Sequence, residues 1–201
     1  MRITRSRWLI RLLMMLIICM SVQTAFAVKP LGALPRDTQD PYEIAVAAQH
    51  HESDRATQRL KTFFMARNRK LWGRIAEYQA ESAVKASKAH KVELSLLAGV
   101  ISAESEGNPF SVSRTGAKGS AQVDFNAHGS RFPQIKEERD KFDPEKNIDC
   151  AAELLKEYTT QYGLRNGLQV YNLGETAYRK GRRNPRYADK VLRYARLYRH
   201  F

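Results

Sequence analysis

An apolar row at helical spacing runs through Leu94, Leu97, Val100 and Ile101, and the next place on that row is held by Glu104. Gly107 stops the helix and Pro109 prevents its resumption. A helix with such a face must be covered by other elements, and here it carries an acid into the contact. A carboxyl pressed against apolar surface loses hydration, which favours the neutral form and raises its pKa. A general acid working near neutral pH needs that shift. The competing reading is a solvated glutamate in a last helical turn, which is what Glu106 is expected to be.

Alternation of the β kind occurs nowhere in the chain, so the fold class is mainly α. Pro41 to Lys70 reads as helical, with patchy apolar residues at Ile44, Ala47, Ala48, Leu60, Phe63 and Phe64. From Leu71 to Ala89 a clearer helix carries Leu71, Ile75, Tyr78 or Gln79, and Ser82 along one side, with Trp72, Ala76, Ala83 and Ala86 beside them. His90-Lys91 breaks into the acid-bearing helix, whose first turn holds Glu93, favourable for the helix dipole. Phe125 to Lys141 is polar, with Gly129, Pro133 and alternating charges, and reads as a surface loop. Asp143 and Pro144 supply a cap and a first residue for a helix to about Tyr162, ended by Gly163. Near the C-terminus Tyr187, Val191, Tyr194 and Tyr198 recur at helical spacing. From Arg165 onward ten Lys/Arg face only Glu175 and Asp189, so that helix is amphipathic and basic.

The net charge is +13, which suits a polyanionic partner: nucleic acid, a membrane surface or a cell-wall polymer. Residues 1–27 have the pattern of a secretory signal peptide. Arg2, Arg5 and Arg7 open it, an apolar run extends from Trp8 to Met20, and Ala25-Phe26-Ala27 is a small-x-small cleavage site. An uncleaved anchor is the rival, but the run is short for a span. Cys19 is a poor lipid acceptor because Ile18 precedes it. Cys150 would then be the one cysteine of the processed chain, placed among Ile148, Ala151 and Leu154 as a small buried residue. His50-His51-Glu52 lacks the second histidine of a zinc helix, since Arg55 stands there. Gly116-Ala117-Lys118-Gly119-Ser120 lacks the order of a phosphate loop.

The stretch after the acid-bearing helix is more specific. Glu104, Ser105, Asn108, Pro109, Ser113, Gly116, Ala117, Gly119 and Gln122 agree in register, over nineteen positions, with E-S-x-x-N-P-x-A-x-S-x-x-G-A-x-G-L-M-Q. This resembles the signature of the soluble lytic transglycosylase (SLT domain) family. Asp143-Pro144-x-x-Asn147-Ile148 matches its second stretch and Tyr171-Asn172-x-Gly174 its third, with Leu168 and Val170 at two alanine positions. Tyr187-x-x-x-Val191 is similar to its closing helix. Ser111 departs from the usual Ala, and Ser120-Ala121 replace Leu-Met, which is expected to change the floor of the sugar cleft.

The resemblance implies a lysozyme-like domain over 71–201, preceded by a leader and N-terminal helical extension at 28–70. It implies a peptidoglycan lytic transglycosylase, a carbon–oxygen lyase cutting the MurNAc–GlcNAc β-1,4 bond and leaving a 1,6-anhydromuramoyl end. Glu104 would serve as acid and then base. Ser113 and Gln122 would hold the N-acetyl and neighbouring groups, and Tyr171 would position Glu104 or the sugar. No metal or organic cofactor is required. Peptidoglycan glycan strands are the expected partner and the periplasm the expected compartment, with membrane contact only through the signal peptide. The small architecture is similar to enzymes that open the wall locally for secretion, conjugation or pilus machines. Two alternatives stay open: a hydrolytic lysozyme pairing Glu104 with Asp124, and a non-catalytic wall-binding or assembly module. Nucleic-acid binding is disfavoured, since export and the absence of a binding motif oppose it.

Overall fold

Residues 40–201 are described in a computed structural model of the chain. The expected signal peptide at 1–27, Cys19 and most of the 28–40 leader lie outside the described residues. Among the described residues eight α-helices run in order: α1 Pro41–Arg67, α2 Gly73–His90, α3 Leu94–Glu104, α4 Phe125–His128, α5 Pro144–Tyr162, α6 Leu164–Leu173, α7 Glu175–Arg179 and α8 Pro185–Arg199. Single 3-10 turns lie at Gly129–Arg131 and Glu138–Lys141. The same residues contain no β-strand, only two isolated antiparallel bridges, Val112 with Lys118 and Lys118 with Val123.

α3 is the centre of the packing. Ser95 through Ala103 are all buried, so the row seen in the sequence is one side of a helix covered on every side. Its main partner is α8. The two helices approach so closely that a Cβ on Gly99 would stand 2.6 Å from the Val191 carbonyl, which makes glycine the residue that permits the contact. α5 packs on α2 and α6, and α6 also meets α8. Alanines at 76, 80, 83 and 86 give α2 high helix propensity and a flat face. α2 is tied to α5 by Tyr78 donating to Asp143 (3.2 Å), by Lys85 with Glu145, and by His90 with Asp149 (2.7 Å).

The start of α5 agrees with its sequence signals. Asp143 accepts from the Lys146 amide at 3.0 Å and Pro144 takes the first position. Cys150 is a free, fully buried thiol. The stretch 125–141 is not simply a surface loop. Phe125 and Phe132 are buried, 6.4 Å apart and edge-on, and hold its short helical turns against the core.

α1 divides in two. Residues 45–52 are exposed apart from half-buried Val46, whereas Leu60, Phe63 and Phe64 belong to the common core. Phe63 meets the rings of Tyr198 and Phe201 edge-on at 5.4 Å, and Arg59 donates to the carbonyls of Tyr198 and Arg199 at 2.8 and 2.7 Å. An arginine on the last carbonyls of a helix satisfies acceptors that have no partner within it. Packing therefore does not break at residue 70.

Candidate active site

Glu104 ends α3 at the wall of an open groove of about 400 Å³, lined also by Ser113, Gln122, Asp124, Tyr171 and Arg182. The Tyr187 hydroxyl, brought in by α8, donates to Glu104 Oε1 at 2.6 Å. Burial pushes the Glu104 carboxyl from an ordinary 4.5 up to about 7, against the pull of the Tyr187 hydrogen bond and of the Lys190 charge. Lys190 donates to the Ala103 carbonyl at 2.6 Å, fixing its ammonium one residue from the acid. Burial and the Glu104 charge hold the Tyr187 and Tyr171 phenols well above their usual range, so both stay neutral donors.

The loop after Glu104 is set by a buried polar chain. Ser105 Oγ donates to the Ser120 carbonyl (2.6 Å) and accepts from the Gly107 amide (3.1 Å). Gln79, fully buried on α2, donates to the Gly107 carbonyl and accepts from Ser120 Oγ, each at 2.6 Å. Ser120 thus replaces an apolar residue with a hydroxyl that has a matched interior partner. Ala121 is also buried, and neither residue lines the groove. Both side chains lie in the packed interior.

Asn147 of the second matched stretch is wholly buried. It accepts from the Ala121 amide at 2.9 Å and donates to the carbonyls of Lys118 (2.8 Å) and Lys141 (2.9 Å). Gly119 passes over it with φ of 83°, and a Cβ there would lie 2.3 Å from the Asn147 amide nitrogen. Gly119 therefore serves close packing on Asn147.

The predicted site residues fall on one groove, with differing contacts. Ser113 Oγ accepts from the Ala117 amide (2.9 Å) and shares a hydrogen bond with Thr115 (3.0 Å). Gln122, in the left-handed region at φ of 52°, donates through Nε2 to the Ser111 and Gly119 carbonyls, both at 2.9 Å. Both amide protons are thereby used, and its oxygen is what it can offer a ligand. The Tyr171 hydroxyl donates to the Ala121 carbonyl at 2.7 Å, so the phenol on the Glu104 carboxyl is that of Tyr187. Asp124 accepts from the Asn126 and Ala127 amides at 3.0 and 3.3 Å as the N-cap of α4. Tyr187 was legible as a core position of the last helix and within its similarity to the family's closing helix, with no role attached. Nothing local marks its hydroxyl as the partner of an acid 83 residues earlier.

A helical core around one desolvated carboxyl beside an open groove makes this a lysozyme-like domain. Residues 81–192, over half the chain, match the family model of the transglycosylase SLT domain, and the chain belongs to that family. The matched span holds both Glu104 and Tyr187. The family carries lytic transglycosylase-type activity, and its polymer is peptidoglycan. No curated protein matches the chain.

Proposed function

We propose that the protein cleaves the β-1,4 bond between N-acetylmuramic acid and N-acetylglucosamine and leaves a 1,6-anhydromuramoyl end. The observation that carries this reading is the half-buried Glu104 carboxyl at the groove wall, held by one phenol and pushed up to about 7 by desolvation. At that value the group is part protonated near neutral pH, so one residue can both give and take a proton.

Glu104 protonates the glycosidic oxygen as the C1–O bond breaks, and the substrate's own N-acetyl oxygen stabilises C1. The Glu104 carboxylate then draws the proton from the muramoyl C6 hydroxyl, whose oxygen bonds to C1. The proton returns to Glu104 and no water is consumed. Tyr187 orients the carboxyl, Gln122 accepts from sugar N–H or O–H groups, and Ser113 and Tyr171 line the path of the strand. Asp124 has a capping role in this scheme, its Oδ1 accepting from two backbone amides of α4.

The chain pattern supports export by the 1–27 signal peptide and action in the periplasm. Local wall opening for a secretion, conjugation or pilus apparatus is part of the same proposal. Mass spectrometry of peptidoglycan digested with the protein, beside Glu104→Gln, tests the reaction. Anhydro-muropeptides from the wild type and none from the variant are expected. Ordinary reducing ends, lost on Asp124→Asn, would replace the scheme by hydrolysis.

A further inference from the structure

The groove that holds Glu104 is also lined by Arg182. The backbone around Arg182 is pinned. Its amide closes α7 on the Ala177 carbonyl at 3.1 Å, and the preceding Gly181, at φ of 90°, bonds the Tyr178 carbonyl at 3.0 Å. The Arg182 carbonyl accepts from Arg183 Nη1 at 2.8 Å, and the Arg183 guanidinium lies 4.0 Å over the Tyr178 ring. Asn184 then donates from its amide to Gln169 Oε1 (2.9 Å) and from Nδ2 to Asn172 Oδ1 (2.8 Å). The loop is thus fastened to α6 and α7 on both sides of one residue.

Its side chain is treated differently. Arg131, Arg165, Arg179 and Arg199 each face a carboxylate, whereas among the described residues Arg74, Arg114, Arg186 and Arg196 do not; what sets Arg182 apart from these is its place in the groove. The Arg182 guanidinium makes no hydrogen bond or ion pair among the described residues, and it is exposed in the groove. A guanidinium is a planar fork of donors matched to a carboxylate, and a fixed base reduces the ordering cost of using it.

The glycan strand brings such a group past this position. Each muramoyl residue carries a lactyl ether, ending in a free carboxylate when no stem peptide is attached and leading to the stem's carboxylates when one is. N-acetylglucosamine carries no charge. We propose that Arg182 is a carboxylate-binding subsite of the groove, which selects anionic muramoyl residues and sets their register on Glu104. This rests on the peptidoglycan reading above.

Binding to soluble strands tests it without requiring turnover. Glu104→Gln and the double variant Glu104→Gln/Arg182→Ala are compared on three ligands. These are peptide-bearing strands, amidase-stripped strands with free lactyl carboxylates, and stripped strands whose carboxylates have been converted to methylamides. Loss of the fork should raise Kd about 10-fold on the carboxylate strands, and the ratio should fall toward one on the methylamides. Arg182→Lys should lie between, keeping charge without the bidentate geometry. A loss confined to peptide-bearing strands assigns the stem carboxylate, and a loss on stripped strands assigns the lactyl carboxylate. Equal ratios on all three ligands, or binding to none, overturn the subsite. A wild-type protein that binds strands but forms no anhydro ends would sink the proposed reaction and leave the subsite standing.

Discussion

The Tyr187 hydroxyl donates to a carboxyl that burial has pushed up to about 7, so it works against the burial and favours the charged form. Removing that donor should raise the Glu104 pKa further. The first chemical step needs the protonated acid, so kcat/KM should fall as pH rises through about 7 in the wild type. In Tyr187→Phe the alkaline limb should move to higher pH. At the same time kcat should drop about 10- to 100-fold with KM little changed, since orientation and not strand binding is lost. A pH–rate profile reads both, and an unmoved or lowered limb would remove Tyr187 from the acid. Glu104 itself was legible, because a charged residue on an apolar row is conspicuous. Tyr171 was placed near the acid by resemblance; it shares the groove with Glu104, and its hydroxyl donates to the Ala121 carbonyl. What no local pattern carries is which of two phenols, one buried and one half-buried, reaches a given oxygen.

Among the elements, α1 shows where periodicity stops being informative. Its first half is exposed and its last turns are core, so no single stripe runs its length. Phe63 is 2% exposed and packs edge-on against Tyr198 at the end of α8. Phe63→Ala should destabilise the whole domain by about 3–5 kcal/mol in urea unfolding. A separate extension would instead leave the main transition in place. Elements with chemical punctuation were legible: Asp143, Pro144 and Gly163 set the ends of α5. The turns at 125–141 were not, since Phe125 and Phe132 are buried by contacts that neither helical nor strand spacing encodes.

For the whole molecule, the acid is a liability that the fold tolerates. Its pKa is about 7 folded against an ordinary 4.5 unfolded, so the folded state holds the proton more tightly. Stability is therefore lost as pH rises from about 4.5 to about 7 and stays lower above that. Glu104→Gln keeps an acceptor for Tyr187 and cannot ionise. It should exceed wild type by on the order of 2–3 kcal/mol at pH 8, with the gap closing near pH 4. Urea titrations at the two pH values measure this, and a gap that grows on acidification would contradict the buried acid.

The close seat of α8 on α3 also has a temporal side. Glu104 is made well before the helix that bears Tyr187, which follows it by 83 residues. Until α8 docks at Gly99, the carboxyl has neither its phenol nor the neighbouring ammonium of Lys190, and the cover of α3 is incomplete. A chain without α8 would carry the glutamate without its phenol and without its neighbouring ammonium. The acid thus acquires its tuned surroundings when α8 docks, without the making or breaking of any covalent bond.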